Sequence, residues 1–425
     1  MIIHVVKSGE TAYTIANQYG VSPRRFIFDN QLSHPNNLVI GQSLLVLFPE
    51  TVHRVQENET LYSIANSYSV SVMDIIRNNP YLITNRYLEP GSFLIIHYTD
   101  DKLGTLNIGG YAYPYIEQPV LRETLPYLTR LLLFSYGFTT SGELVPLEDN
   151  ALIESAETFG VSPILVLTPL DQEGKFNNRL VSAIANDPSA RQTLIGNLLE
   201  TVRSKGYSGV DVDFEYILPE DKDAYASFVS ELTTAMNREG YGVSVALAPK
   251  ISSEQEELLY AGMDYQKLGQ SANSVLLMTY EWGYTYGPPM AVAPINKVRE
   301  VLDYAVTQIP REKIDMGIPN YGYDWILPFV KGTTRATLIG NVQAVEIAFQ
   351  NNAQIKFDLT AMSPYFEYTK NGLSHIVWFE DVRSINEKLR TISEYGFRGA
   401  GYWNIMRPFR QNWLLANALF DIVSE

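Results

Sequence analysis

The chain has 425 residues, of which 46% are hydrophobic and 12% aromatic, so it can bury more than one hydrophobic core. Its formal net charge of −15 argues against nucleic acid as a partner, because a phosphate backbone selects basic surfaces. The sequence contains no cysteine, which excludes disulfide bonds and thiolate chemistry.

The amino terminus, residues 1–6, has the pattern of a strand and lacks the basic region and long apolar core of a secretory leader. We therefore expect a chain made without a signal peptide. Apolar runs stay well short of the roughly 20 residues of a membrane span, so we predict no such span. The 5 histidines are not spaced as metal ligands, and we predict neither a metal nor another cofactor.

An internal repeat with a period of about 50 residues opens the chain. Each copy predicts a strand, two short helices and a closing strand, which gives two very small βααβ domains at 1–48 and 51–97. The matching residues are His4, Glu10, Thr11, Tyr13, Ile15, Tyr19 and Asn30 in the first copy, and His53, Glu59, Thr60, Tyr62, Ile64, Tyr68 and Asn79 in the second. The predicted helices span 11–19, 23–29, 60–68 and 72–78, and the closing strands span 43–48 and 92–97.

Both copies resemble LysM modules over almost all of residues 2–97. The resemblance implies a shallow groove on each module that binds the N-acetylglucosamine backbone of peptidoglycan or chitin. We expect Ile15, Ile64, Tyr13 and Tyr62 to belong to the module cores instead of the grooves. By position, the groove residues are Gly9, Thr11 and Asn30, with 30–38, in the first copy, and Asn58, Thr60 and Asn79, with 79–82, in the second.

Two weak binding modules in tandem suit a polymer, because the second contact becomes intramolecular once the first has formed. The linker that follows them, residues 98–104, is short and polar. We therefore expect the modules to hold the rest of the chain close to the polymer.

From residue 105 onward, strand patterns alternate with helical patterns such as 221–237 and 294–309. Eight strands favour a closed (β/α)₈ TIM barrel over 104–425 rather than an open doubly wound sheet, and no glycine-rich dinucleotide fingerprint follows the first of them. The predicted strands are 105–111, 131–138, 163–168, 209–215, 242–248, 274–280, 313–319 and 399–404.

One interval, after the seventh barrel strand, is too long for a single helix. Residues 325–379 predict an α+β insertion that walls one side of the cleft. Its predicted elements are a helix at 341–350 and strands at 354–357, 364–368 and 375–379.

The fourth barrel strand carries three acids, Asp211, Asp213 and Glu215, at alternate positions. Alternate side chains of a strand share one face at steps of about 6.6 Å. Taken alone, this alternation is also typical of an antiparallel strand with a wetted face. The helical patterns on both sides indicate a parallel sheet instead, in which buried carboxylates need bonding or protonation.

Chemistry in such barrels occurs at the carboxyl ends of the strands, which makes Glu215 the candidate proton donor. Asp213 lies one step deeper, and two carboxylates that close should not both ionise. We therefore predict that the pKa of Glu215 is raised toward the working pH.

The segment 209–215 resembles the signature of glycoside hydrolase family 18, the chitinase and endo-N-acetylglucosaminidase group. Three other strand ends agree with it: 278–280, 317–322 and 401–403. Together with paired LysM modules and the missing leader, the sequence is most similar to spore cortex-lytic N-acetylglucosaminidases. The resemblance implies cortical peptidoglycan as substrate and a location in the cortex or coat region of the spore.

The resemblance also implies substrate-assisted retaining catalysis, in which the 2-acetamido group of the sugar is the nucleophile. Glu215 would be the acid and base, Asp213 would hold the acetamido N–H, and Asp211 would tune Asp213. Tyr280 would bind the acetamido oxygen, and Trp403 would form the floor under the sugar. Further substrate contacts are predicted at Tyr111, Met278, Glu281, Asn320 and Tyr321.

Three positions depart from the family pattern. Ser208 stands where an acid is common, 167–170 replaces the usual Ser-x-Gly-Gly, and Glu281 replaces Asp or Asn. Two alternatives stay open: a chitinase, against which the missing leader counts, and a catalytically silent glycan-binding barrel, against which the presence of Glu215 counts.

Overall fold

The structure is a computed structural model that describes residues 1–84, 87–99, 101–170, 175–255 and 257–424. Position 100 of the predicted linker lies outside the described residues. Among the described helices, none combines the length and the apolar character needed to cross a bilayer.

The strands are β1 (Ile2–Val5), β2 (Ser43–Val46), β3 (Pro49–Arg54), β4 (Phe93–Tyr98), β5 (Thr105–Ala112), β6 (Arg130–Phe138), β7 (Leu144–Val145), β8 (Ser162–Leu167), β9 (Gly209–Val212), β10 (Gly242–Leu247), β11 (Ser274–Leu277), β12 (Ile314–Pro319), β13 (Gly322–Leu327), β14 (Thr337–Ile339), β15 (Lys356–Asp358), β16 (Ser363–Lys370), β17 (Leu373–Trp378), β18 (Gly399–Trp403) and β19 (Asp421–Ile422).

The α-helices are α1 (Ala12–Tyr19), α2 (Pro23–Asp29), α3 (Leu61–Tyr68), α4 (Val72–Asn78), α5 (Gln118–Thr124), α6 (Asn150–Phe159), α7 (Asn178–Asn186), α8 (Pro188–Lys205), α9 (Lys222–Asn237), α10 (Leu258–Ala261), α11 (Tyr265–Ser271), α12 (Ile295–Gln308), α13 (Asn341–Gln350), α14 (Val382–Tyr395) and α15 (Arg410–Leu419). Single 3₁₀ turns lie at Pro80–Ile83, Leu125–Tyr127, Pro219–Asp221 and Arg311–Lys313.

Each amino-terminal module, residues 1–48 (module 1) and 51–97 (module 2), is an antiparallel strand pair with two helices. β1 pairs with β2, and β3 pairs with β4. Thr11 and Thr60 begin α1 and α3 as N-caps, because each hydroxyl accepts a bond from the backbone N–H three residues later. The order of elements is the one that the repeat predicts.

The repeated His, Glu and Tyr residues form a polar network inside each module. In module 1, His4 Nε2 lies 2.8 Å from Glu10 Oε2 and His4 Nδ1 lies 3.0 Å from the Tyr19 hydroxyl. The same network recurs in module 2. These repeat residues therefore stabilise the modules.

The predicted core residues of the modules divide into two pairs. Ile15 and Ile64 are fully buried, as expected. The prediction for Tyr13 and Tyr62 is wrong, because these side chains are 43% and 70% exposed. A residue two positions before a core residue lies about 200° away around a helix and points outward.

Eight parallel strands close into a barrel. Their order is β5-β18-β12-β11-β10-β9-β8-β6, and a pairing between β6 and β5 completes the ring. The predicted TIM-barrel fold is thus confirmed. β9 and β11 end at Val212 and Leu277, three residues before the predicted ends, because the backbone turns at the barrel mouth, with φ of +56° at Tyr216 and +68° at Glu281.

The alternation along β9 separates a helix-facing side from a barrel-facing side. Val210, Val212 and Phe214 are buried against the surrounding helices, and the Phe214 ring stacks on Phe228 of α9 with centroids 5.8 Å apart. Asp211 projects the other way and receives bonds from residues of β5 and β10. The barrel therefore places the acids in its interior.

The insertion after β12 begins at Gly322 and runs to Phe379. Helix α13 has the predicted bounds, but the sheet has five antiparallel strands in the order β14-β13-β17-β16-β15. The predicted start at 325 is therefore too late. β13 follows β12 after only two residues, so the sequence has no loop signal between them, and β14 spans just three residues.

Both modules are packed on the barrel. From α15, Gln411 Nε2 donates to the Ser43 carbonyl of module 1 at 3.1 Å, and Asn417 Nδ2 donates to Asn78 Oδ1 of module 2 at 2.8 Å. The insertion also contacts module 1, because Ile355 N donates to the Ile40 carbonyl at 2.9 Å. Module 1 thus sits between the barrel and the insertion.

Candidate active site

Asp211 is the deepest of the three acids and is 0% exposed. The Tyr111 hydroxyl donates to its Oδ2 at 2.8 Å, and the Ser244 hydroxyl donates to its Oδ1 at 2.5 Å. Burial raises the pKa of Asp211, while these two hydrogen bonds act in the opposite direction. The bonds fix the carboxyl group beneath Asp213.

Asp213 lies next along the acid series and is 5% exposed. Its Oδ1 is buried and has no hydrogen-bond partner among the described residues. Burial raises the pKa of Asp213 well above its ordinary value, and the charges of Glu215 and Asp211 add to the effect. A buried polar atom without a partner is costly, so this oxygen is suited to bond a group that a ligand brings.

Glu215 follows the end of β9 and is half-buried. Its pKa is raised from 4.5 to about 7, first by burial and then by the charge of Glu281. The direction is the one that the sequence predicts, but the cause differs, since the sequence attributes the shift to Asp213. A carboxyl group that retains its proton near neutral pH can act as a general acid.

Glu281 follows β11, which only one strand, β10, separates from β9 in the barrel. Tyr321 donates a short hydrogen bond to its Oε1, and the Tyr323 hydroxyl lies 3.1 Å from the same oxygen. Although the residue as a whole is exposed, burial of its carboxyl group beside the two tyrosines raises the pKa of Glu281. Its charge ranks after burial as a cause of the Glu215 shift.

Tyr280 and Trp403 flank the acids. The Tyr280 ring is 8% exposed and packs against Gly317. Any larger residue at position 317 would place its Cβ only 2.7 Å from Tyr280 Cε1, so the ring depends on this glycine. No described residue bonds the Tyr280 hydroxyl. Trp403 keeps part of its ring exposed and packs edge-on against Tyr111 and Phe134. Met278 is also partly exposed.

Three predicted substrate contacts have hydrogen-bond partners within the protein. Tyr111 is 3% exposed and gives its hydroxyl to Asp211, while Tyr321 is 2% exposed and gives its hydroxyl to Glu281. Asn320 is also buried, and its Nδ2 donates to the carbonyls of Asn404 and Arg407. These internal bonds fix the three side chains, and their contacts with substrate stay predictions.

Two predicted glycan contacts of the modules have structural roles. Asn30 and Asn79 are 5% and 0% exposed, and each side chain bonds the backbone of its closing strand. In contrast, Gly9, Thr11, Asn58 and Thr60 lie at the surface or partly exposed, at the loop before the first helix. Those four stay predicted glycan contacts.

The sequence analysis missed Ser244 and Tyr323. Ser244 is the direct neighbour of Asp211 in the pairing of β10 with β9. A polar residue at an inward position of the neighbouring strand can indicate a partner for a buried acid. Identifying Ser244 in this way requires the register between the two strands, which only the structure provides. Tyr323 opens the unpredicted strand β13, so no signal pointed to it.

Comparisons with known proteins agree with this geometry. Residues 174–407 match Glycosyl hydrolases family 18, and residues 4–46 and 53–97 match the LysM domain. The cortical fragment-lytic enzyme of Bacillus subtilis (strain 168) is 38% identical over 100% of this chain and 99% of its own length. That of Bacillus anthracis is 37% identical over the same shares.

Solved structures show the same arrangement. The Bacillus megaterium QM B1551 spore cortex-lytic enzyme SleL superposes with a TM-score of 0.84 at 35% identity, covering 100% of this chain and 99% of that one. A chitinase from Chromobacterium violaceum, at 23% identity and a TM-score of 0.69 over 74% of this chain, shares the fold.

Proposed function

The chain belongs to glycosyl hydrolase family 18, and we propose that it hydrolyses spore cortex peptidoglycan at N-acetylglucosamine linkages, with its LysM modules holding the polymer. The names of its Bacillus relatives, cortical fragment-lytic enzyme and spore cortex-lytic enzyme, support this substrate and a location in the spore. The observation that carries the proposal is Glu215 at the barrel mouth with a pKa near 7, above two buried acids.

The first step is substrate-assisted, as in the family 18 exception to the two-carboxylate mechanism. Glu215 gives its proton to the glycosidic oxygen, and the bond from that oxygen to the anomeric carbon breaks. The acetamido carbonyl oxygen of the same sugar forms the new bond to the anomeric carbon, which produces an oxazolinium ion. The leaving sugar departs with the proton.

The second step restores Glu215. The ionised carboxylate removes a proton from a water molecule, and the water oxygen attacks the anomeric carbon while the oxazolinium ring opens. Two displacements at one carbon retain its configuration. The sugar is released with a new reducing end, and Glu215 is protonated again.

Asp213 and Tyr280 would assist the nucleophile. The unpartnered Asp213 Oδ1 would accept the acetamido N–H, and the free Tyr280 hydroxyl would donate to the acetamido oxygen. Asp211, held by Tyr111 and Ser244, would keep Asp213 in position. Trp403 would pack under the sugar ring, where an apolar face fits a pyranose.

The test is hydrolysis of purified cortical peptidoglycan by the wild type and Glu215→Gln, with fragments identified by mass spectrometry. We expect the wild type to release fragments with new reducing N-acetylglucosamine ends. Loss of a general acid should lower kcat by about 10²- to 10⁴-fold. The variant should still bind the polymer.

Glu220→Gln is the matched control, because Glu220 is an exposed acid only five residues away. It should hydrolyse the polymer at the wild-type rate. Full turnover by Glu215→Gln, or wild-type fragments that end only in muramic acid, would contradict the proposal.

A further inference from the structure

A cavity of about 580 Å³ lies where module 1, the insertion and the segment after β18 meet. It is lined from all three parts, and the catalytic acids do not contribute to it. A cavity of this size fits a small ligand or one substituent of a larger one.

Two buried polar atoms of the cavity lining have no partner among the described residues. They are Ser43 Oγ, on β2 of module 1, and Glu380 Oε1, which follows the insertion. The two residues are 3% and 1% exposed. The other Glu380 oxygen accepts from Lys388 Nζ at 2.9 Å, so Oε1 is a spare acceptor on an otherwise fixed carboxylate. Such atoms indicate a missing polar partner.

Arg407 lines the same cavity and lies near two tyrosines, Tyr321 and Tyr323, that bond Glu281. No described residue makes a hydrogen bond or ion pair with its guanidinium, although the side chain is half-buried. Tyr115, Tyr321 and Tyr323 lie within electrostatic range of it. Its stem packs over Gly340, where a Cβ would lie 2.9 Å from Arg407 Cδ. The packing holds an unpaired cation at the cavity, near the tyrosines that bond Glu281.

We propose that this cavity binds the peptide substituent of a muramic acid residue in the glycan, with a peptide carboxylate on Arg407. A peptide N–H would donate to Glu380 Oε1, and the Ser43 hydroxyl would bond a further amide group. The inference rests on the proposed function and identifies the peptide substituent as the part of the substrate that this second site binds.

The chemistry of the site favours a peptide over another sugar. A neutral sugar can accept hydrogen bonds from a guanidinium but has no charge to pair with it, whereas a carboxylate can form two parallel charge-assisted bonds with it. The protein has a net charge of −15, so most of its surface repels an acidic peptide. An unpaired cation beside the cleft would then select the substituted glycan.

The test compares two soluble glycans of equal length, one with its peptides and one stripped of them by an amidase. For Arg407→Gln we expect kcat/KM on the peptide-bearing glycan to fall about 10- to 100-fold more than on the stripped glycan. Arg407→Lys should fall between the wild type and the glutamine variant, since it keeps the charge and loses the paired geometry.

Arg122→Gln is the control, because Arg122 is an exposed arginine on α5 whose loss changes the net charge equally. It should not alter the ratio between the two glycans. Equal losses on both glycans for Arg407→Gln would overturn the inference. A wild type that cleaves neither glycan would instead contradict the proposed function.

A binding measurement keeps the inference testable apart from turnover. In the Glu215→Gln background, calorimetry with the peptide-bearing glycan should show about tenfold or greater weakening when Arg407→Gln is added. Unchanged affinity, with an unchanged melting temperature, would refute the peptide site.

Discussion

Glu215 owes its proton affinity mainly to where its carboxyl group lies. Burial at the barrel mouth is the first cause of the shift, and the charge of Glu281 is the second. The acid therefore retains its proton at pH values where an ordinary glutamic acid is ionised.

The pH dependence of hydrolysis follows from this shift. With a pKa of about 7, Glu215 is protonated below that pH and ionised above it. A general acid must carry its proton when substrate binds, so kcat/KM should fall as pH rises through about 7. A pH–rate profile on a soluble glycan measures this fall, which is the alkaline limb of the profile. A profile flat from pH 5 to 9 would contradict the role of Glu215 as the acid.

Glu281→Gln tests separately how far the charge of Glu281 raises the pKa of Glu215. Removing the negative charge should lower the pKa of Glu215, so the alkaline limb should move to lower pH. Burial is the larger cause, so the limb should stay above the ordinary value of 4.5. The comparison is with Glu220→Gln, whose limb should match the wild type. A limb that moves to higher pH would show that Glu281 acts in another way.

At the scale of single elements, helix α3 shows how periodicity divides core from surface. Ile64 is fully buried in the module 2 core, while Tyr62 is 70% exposed. Ile64→Ala should lower the free energy of unfolding of module 2 by about 2–5 kcal/mol, because it leaves a cavity. Tyr62→Ala should change it by less than about 0.5 kcal/mol.

Denaturant unfolding of the two variants, followed by a probe in module 2, measures this difference. If Tyr62→Ala destabilises the module as much as Ile64→Ala, the helix is oriented differently. The same pair in module 1, Tyr13 and Ile15, should behave alike because the repeat is structural.

Most elements were predictable from sequence because period and composition act locally. All eight barrel strands begin within about one residue of their predicted starts, and helix α13 has its predicted bounds. β13 was missed because two residues separate it from β12, and the ends of β9 and β11 depend on the turns of the mouth. The alternation of residues along a strand does not show where such turns occur, and so it does not predict where these strands end.

The catalytic site was predictable in part for a related reason. Alternation along one strand places Asp211, Asp213 and Glu215 on a shared face without reference to other strands. What Tyr111 and Tyr321 do depends on contacts between distant strands, and so the sequence assigned them to substrate. The structure shows that their hydroxyls bond Asp211 and Glu281.

At the scale of the whole molecule, module 1 is fixed to the insertion at Gly41. This glycine has φ of +85°, and a Cβ there would lie 1.8 Å from the Ile355 carbonyl oxygen. Its counterpart in module 2, Gly91, has φ of +88°, and its nearest neighbour is an arginine side-chain nitrogen at 3.8 Å. The two glycines share a backbone conformation and differ in what lies beside them.

Gly41→Ala should therefore separate module 1 from the insertion, whereas Gly91→Ala should show only the local backbone strain of about 1–3 kcal/mol. Hydrogen exchange at the Ile355 amide, which bonds Ile40, reports the separation. Faster exchange is expected in Gly41→Ala alone. Equal exchange in both variants would contradict the docked arrangement.

The most direct test of the account is the rate on glycan whose acetamido groups have been removed. If the acetamido oxygen is the nucleophile, de-N-acetylated peptidoglycan should be cleaved at least about 100-fold more slowly than the N-acetylated polymer, since an intramolecular nucleophile is lost. Binding through the modules should be measured in parallel. Equal cleavage of the two polymers would show that the nucleophile is not the acetamido group.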